Sequence, residues 1–174
     1  VYSSPQNAVL SQLYTDAISE GLNEFGYPVR LAGLGYSINV DKKGIILTFS
    51  RYSDRILELL KKVSGRLKEI AIDKKTFNTL KEVRARRYQN FHFQQPFQQA
   101  FYYRSLLLEG RKFSIMDYEK VIKKISLNDV KKFADKIFER IYIEGFAYGN
   151  LRKESVIEAV KVLRQELAGN PLPE

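Results

Sequence analysis

The chain of 174 residues has the length of one domain and is long enough to bury a core without disulfide or metal support. Apolar residues are 44% and charged residues 28%, which excludes disordered, collagenous and disulfide-scaffold proteins; the absence of cysteine excludes thiol catalysis and cysteine-type zinc sites, and a single histidine, His92, excludes any site needing two imidazoles within the chain. The net charge of +9 brings polyanions, nucleic acid among them, into consideration as partners.

From Asn7 to about Tyr27, apolar side chains recur at three-and-four spacing (Leu10, Leu13, Ala17, Ile18, Leu22, Phe25), predicting a helix with one buried stripe. Gly26, Pro28 and the Gly33–Gly35 region interrupt it. Tyr36–Val40 alternates with period two, Asp41-Lys42-Lys43-Gly44 reads as a turn, and Ile45–Ser50 alternates again with Ile45, Leu47 and Phe49 on one side. That pattern predicts a β-hairpin in which Gly44 supplies a positive φ. Ser53 is the expected N-cap of a helix bearing Ile56, Leu57, Leu60, Val63 and Leu67, and Asp73 that of a longer one through Phe77, Leu80, Tyr88 and Phe91.

Gln94-Gln95 breaks the periodicity and Pro96 suits the first turn of the next helix, which runs to about Glu109. Ser114 with Asp117 and Ser126 with Asp129 form two capping boxes, each opening a helix. Ile141–Tyr148 is predicted as a strand with Ile141, Ile143, Phe146 and Tyr148 inward, ended by Gly149-Asn150. A last helix presents Val156, Val160, Leu163 and Leu167, and the Gly169–Pro173 tail reads as a linker. The expectation is one domain over 1–168 with a 169–174 tail. Its class is α+β in two layers, a small antiparallel sheet (hairpin plus returning strand) covered by several helices. Three strands make a thin sheet, which an edge strand upstream of Val1 or from a neighbouring domain would complete. No apolar run approaches the ~18–20 residues of a membrane span, so no membrane contact is expected. The start at Val1-Tyr2-Ser3-Ser4-Pro5 has no signal-peptide layout, and the missing initiator methionine points to an excised piece.

Candidate chemistry is sparse. Basic pairs are spread along the whole chain, mostly on expected polar helix faces beside carboxylates. The exception is Arg84–Phe93, where cations alternate with aromatics; such interleaving suits a nucleic-acid-binding module, and it equally suits an amphipathic helix end with core aromatics. His92 has no carboxylate three or four residues away, which argues against a metal role on one helix, and no G-x-S-x-G elbow is present. Gly33-Leu34-Gly35 is too short for a dinucleotide fingerprint and precedes a strand. The carboxylate pairs Glu20/Glu24 and Glu154/Glu158 read as helix surface. No catalytic and no metal-ligating residue is expected here.

The strings nonetheless resemble a family. The stretch Glu20–Ile38 (EGLNEFGYPVRLAGLGYSI), with Tyr14-Thr15-Asp16-Ala17 before it, is similar to a helix-to-strand passage of insulinase/pitrilysin-type zinc peptidases. Further matches follow in order: Gly44–Leu47, Arg51–Asp54, Lys81-Glu82, Tyr88–Asn90, Gln95–Tyr103, Ile125–Val130 and Glu144–Asn150. They resemble the third of four related domains, a degenerate copy without the zinc-binding H-x-x-E-H helix. The resemblance implies a non-catalytic domain of a zinc metalloendopeptidase that packs on the other domains of the same protein and lines a substrate-enclosing chamber. Zinc would then lie in another domain, and the basic balance would favour acidic or weakly charged peptides where it faces the cavity. Tyr88, Asn90, Phe91, Gln95, Gln98, Tyr102 and Tyr103 are the residues to examine for interdomain or peptide contact; plain helix–turn–helix packing is the other reading of them. Relatives of this kind are often periplasmic in bacteria and largely cytosolic in animals.

Overall fold

Helix α1 (Pro5–Gly21) starts where Ser4 accepts the amide of Asn7 at 3.1 Å and Pro5 occupies the first turn. The computed structural model describes residues 2–23, 33–50, 55–110 and 112–167, with the backbone of 170–171. Ala8, Val9, Leu10, Leu13, Tyr14, Ala17 and Ile18 are all buried, together with Ser11 and Thr15. The helix is therefore wrapped on more than the single stripe that spacing predicts. Its two buried hydroxyls are satisfied locally, Ser11 donating to the Ala8 carbonyl at 2.8 Å and Thr15 to that of Gln12 at 2.9 Å. Phe25, Gly26 and Pro28 lie outside the described residues, as does Glu24.

Strands β1 (Gly35–Val40) and β2 (Ile45–Ser50) pair antiparallel, with Gly35 opposite Ser50 and Val40 opposite Ile45. The alternation holds: Tyr36, Ile38 and Val40, with Ile45, Leu47 and Phe49, turn towards the body. The turn is made differently from the expectation. Asp41 Oδ1 accepts the amides of Lys43 at 2.7 Å and Gly44 at 2.9 Å, while the Asp41 amide donates to the Gly44 carbonyl. An aspartate-closed turn of this kind needs no left-handed residue, and the positive-φ glycines among the described residues are Gly33 and Gly149.

Helix α2 (Ile56–Arg66) packs on the last helix and has Leu59, Leu60 and Val63 buried; Ser53, its expected cap, lies outside the described residues. Asp73 caps α3 (Lys74–Asn90) by accepting the Thr76 amide at 2.7 Å. A 3₁₀ turn (Phe91–Phe93) leads into α4 (Pro96–Leu108). Both capping boxes form as expected, opening α5 (Ile115–Ile122) and α6 (Leu127–Ile137). Helix α7 (Lys153–Leu167) follows. Around α1 stand α3, α5, α6 and β1, so the core is a helical cluster with a hairpin on its flank. Tyr14 ties α1 to the end of α2, its hydroxyl donating to the Leu67 carbonyl at 2.5 Å.

The class is α+β, with seven helices and an antiparallel two-stranded sheet among the described residues. The returning strand departs from the expectation. Only Arg140–Ile141 (β3) is in a ladder, and it pairs in parallel with Asn170–Pro171 (β4) rather than with the hairpin. Ile141 and Ile143 are half-buried, but Phe146 is 92% and Tyr148 89% exposed, not inward. A strand pattern specifies pairing only where a partner edge is present. Among the described residues no helix is long and apolar enough to cross a membrane.

Candidate interdomain and peptide-contact surface

The corner between α3 and α4 gathers the aromatic residues singled out from the sequence. Tyr88 is buried, its ring 5.5 Å from that of Tyr118, and its hydroxyl donates to Gln12 Oε1 on α1. Phe91 is buried against Tyr102, with ring centroids 4.5 Å apart, and meets Tyr103 edge-on at 6.2 Å. The Tyr102 hydroxyl accepts the Ile115 amide at 2.7 Å, pinning α4 to the start of α5. Burial pushes the phenols of Tyr88, Tyr102 and Tyr118 upward, that of Tyr118 to about 12, because the phenolate would lose its hydration. Asn90, Gln95, Gln98 and Tyr103 are exposed. The seven residues thus divide: Tyr88, Phe91 and Tyr102 build the corner, and the other four present outward from it.

Gln99, beside Gln98 but not among the residues singled out, adds a polar tie at the corner. Its amide nitrogen donates to the Gln94 carbonyl at 3.0 Å and lies 3.3 Å from that of His92, closing the 3₁₀ turn onto α4. The Gln94-Gln95-Pro96 break signals a turn that needs such a donor, though not which glutamine supplies it. At its far end, α4 is met by Lys42 of the hairpin turn, 3.6 Å from Glu109. Helix α4 has no fully buried side chain; Gln99, Tyr102, Ser105 and Leu106 are half-buried. Phe97, Phe101, Leu107 and Leu108 are exposed by 55, 54, 88 and 77%. Polar tethers hold this helix while its apolar surface stays uncovered, a feature that marks interaction sites.

The geometry of the Arg84–Phe93 segment gives the nucleic-acid reading no support. Arg84 pairs bidentately with Asp16 (Nε–Oδ2 2.9 Å, Nη2–Oδ1 2.5 Å), and Arg86 with Glu82 at 2.6 Å. Tyr88 and Phe91, two of the three rings base stacking would draw on, are turned into the core, while Phe93 is exposed. His92 lies 3.2 Å from Glu119, two donors at most. Among the described residues no group of three His, Asp or Glu side chains stands where it could hold a metal ion, so the zinc implied by the resemblance has no fitting ligand set there.

A family model described as the middle or third domain of peptidase M16 matches residues 1–121. The chain belongs to this family. The middle domain is 32% identical over 171 residues to insulin-degrading enzyme-like 1, peroxisomal, of Arabidopsis thaliana, covering 98% of this chain and 18% of that protein. It is 30% identical over 166 residues to the insulin-degrading enzyme of Mus musculus, covering 95% of this chain and 16% of the relative. The crystal structure of pitrilysin superposes with a TM-score of 0.84 at 16% identity, over 96% of this chain and 18% of that one. The middle domain therefore spans less than a fifth of the length of these relatives, and the likeness read from its strings is borne out at the level of family and fold.

Proposed function

We propose that this middle domain is a non-catalytic part of an insulinase-like zinc metalloendopeptidase, where it packs against neighbouring domains and forms part of the wall around the enclosed peptide. Residues 1–168 act as one inactive peptidase-like unit and 169–174 as its link onward. Zinc and the residues that activate water belong to another domain of the parent protein. The observation that carries this reading is α4, a helix of thirteen residues with no fully buried side chain in its own chain, which displays Phe97, Phe101, Leu107 and Leu108. An amphipathic or apolar helix gains its stability from the surface it covers, and here that surface belongs to another domain. Tyr88, Phe91 and Tyr102 hold the α3–α4 corner in shape; Asn90, Gln95, Gln98 and Tyr103 are the groups on it that reach a neighbouring domain or the peptide.

The experiment is a paired one. Leu107→Asp leaves the stability of the 174-residue chain within about 0.5 kcal/mol, because the side chain is 88% exposed there. In the full-length parent protein the same substitution buries a charge in an interface, and peptide turnover and thermal stability both fall. Equal indifference of the two proteins would refute the packing role.

A further inference from the structure

Helix α1 is buried on most sides, and Gln12, Asp16 and Ser19 lie at helical spacing on the narrow side that stays polar. They form one wall of a cleft of about 340 Å³, closed by Asn39 of β1, by Arg84 and Arg87 of α3, and by Tyr2. That volume is at the lower end of the range for small-ligand sites, about 300–1,000 Å³. Several donors in the cleft are unspent. The Arg84 guanidinium meets Asp16 through Nε and Nη2, which leaves Nη1 without a hydrogen-bond partner among the described residues. Its side chain is 18% exposed, so the group is held in place before any ligand arrives. Arg87 has no ion-pair partner among the described residues, unlike Arg84 and Arg86. Tyr88 donates to Gln12 Oε1 and Gln12 Nε2 donates to the Tyr2 hydroxyl at 2.9 Å, so the Tyr2 proton is left for a further acceptor. Asn39 spends one amide hydrogen on Ser37 Oγ at 3.3 Å and keeps the other.

We propose that this cleft receives one carboxylate of the enclosed peptide, an acidic side chain or the chain end. The inference rests on the reading of this domain as part of a peptide-enclosing wall. Charge selects the ligand. Arg84, Arg87 and Asp16 are the charged side chains of the cleft, and together they leave one positive charge. A single carboxylate balances that charge, whereas a phosphate dianion exceeds it and stands against the Asp16 oxygens. The guanidinium fork of Arg87 matches two carboxylate oxygens, and Arg84 Nη1, Asn39 and Tyr2 offer donors to the remaining lone pairs. A neutral glutamine amide in the same place sets its own hydrogens against those donors, and an apolar side chain leaves them dehydrated and unpaired.

The test titrates the isotope-labelled 174-residue chain with short peptides, followed by NMR at the Arg84 and Arg87 Nε–H groups and the Ser19 and Asn39 amides. The probes are acetyl-Ala-Glu-Ala-amide, acetyl-Ala-Gln-Ala-amide, and acetyl-Ala-Gln-Ala with a free terminal carboxylate. At least one carboxylate probe should bind about tenfold tighter than the neutral amide, and Arg87→Gln should remove that preference. Which of the two binds assigns the ligand to an acidic side chain or to a chain end. Arg87 is exposed, so its replacement leaves the fold intact. Arg86→Gln removes the same charge one residue away and should keep the preference. Equal binding of all three probes, an equal loss in both variants, or tighter binding of inorganic phosphate than of either carboxylate overturns the proposal. In the full-length parent protein, kcat/KM is compared for quenched peptides with and without the favoured carboxylate. Arg87→Gln should bring that ratio close to one and Arg86→Gln should not; an active parent whose ratio ignores Arg87 overturns the proposal. A parent that cleaves nothing, with carboxylate binding intact in the chain, refutes the peptidase reading and leaves the carboxylate site standing.

Discussion

Replacing Tyr14 by Phe isolates the bond that joins the central helix to the end of α2. The ring stays, and with it the tilted contact to Phe138 at 6.3 Å; only the hydroxyl that donates to the Leu67 carbonyl at 2.5 Å is lost. Tyr14 is 0% and Leu67 1% exposed, so water does not take the place of the hydroxyl. A buried acceptor left alone costs about 1–3 kcal/mol. The slightly more apolar phenylalanine offsets a fraction of that, for a net loss of about 2 kcal/mol. For a domain of this size each kcal/mol moves the melting temperature by roughly 2–4 °C, giving a fall of about 4–8 °C. Urea denaturation followed by circular dichroism should show a lower midpoint at an unchanged slope. A loss below about 0.5 kcal/mol would refute the reasoning, because it would mean that the carbonyl is hydrated in the folded state.

Tyr14, Tyr88 and Tyr118 are held above the usual phenol range by burial, Tyr118 at about 12. An unfolded tyrosine titrates near 10, so the folded chain keeps protons that the unfolded chain releases; the stability is fully present below about pH 10 and falls as pH rises towards 12. A urea midpoint that stays flat across that alkaline range would contradict it. Arg84→Gln leaves Asp16 without its bidentate partner at a pair whose side chains are 18% and 24% exposed, and should cost about 1–2 kcal/mol, between the exposed and buried limits. Combined with Asp16→Asn it should cost less than the sum of the two single changes by about 1 kcal/mol; strict additivity in the denaturation cycle would show that the pair is not coupled. Gln99→Ala removes the donor that closes the 3₁₀ turn and should cost about 1 kcal/mol while speeding exchange of α4 amides; unchanged exchange there would show that the glutamine does not tether the helix.

Local rules read well from this sequence where the interaction itself is local. Ser114 with Asp117 and Ser126 with Asp129 are three residues apart, so their capping boxes depend on nothing distant and form as expected. Asp73 and Pro96 mark helix starts for the same reason. The hairpin was legible from alternation, yet its turn is closed by Asp41 rather than by a left-handed Gly44, since an aspartate can mimic the missing turn of backbone. Burial of α1 on more than one stripe was not legible, because it depends on helices as distant in the chain as Leu127–Ile137. Ile141–Tyr148 fails for a related reason: the pattern is that of a strand, and pairing requires an edge that the described residues do not offer. At the α3–α4 corner the aromatic residues were legible as a group, but which of them face inward depends on Gln12, Tyr118 and Ile115, and the tether at Gln99 has no periodicity to reveal it.

The central claim is that this chain serves a zinc centre that lies in another domain. The direct measurement is cleavage of a quenched fluorogenic peptide by the full-length parent protein and by the 174-residue chain, side by side, before and after chelation and zinc repletion. The account predicts turnover by the parent that chelation abolishes and zinc restores, with none from the chain under any condition. Turnover by the chain alone, or a parent protein that cleaves nothing when loaded with zinc, would contradict it.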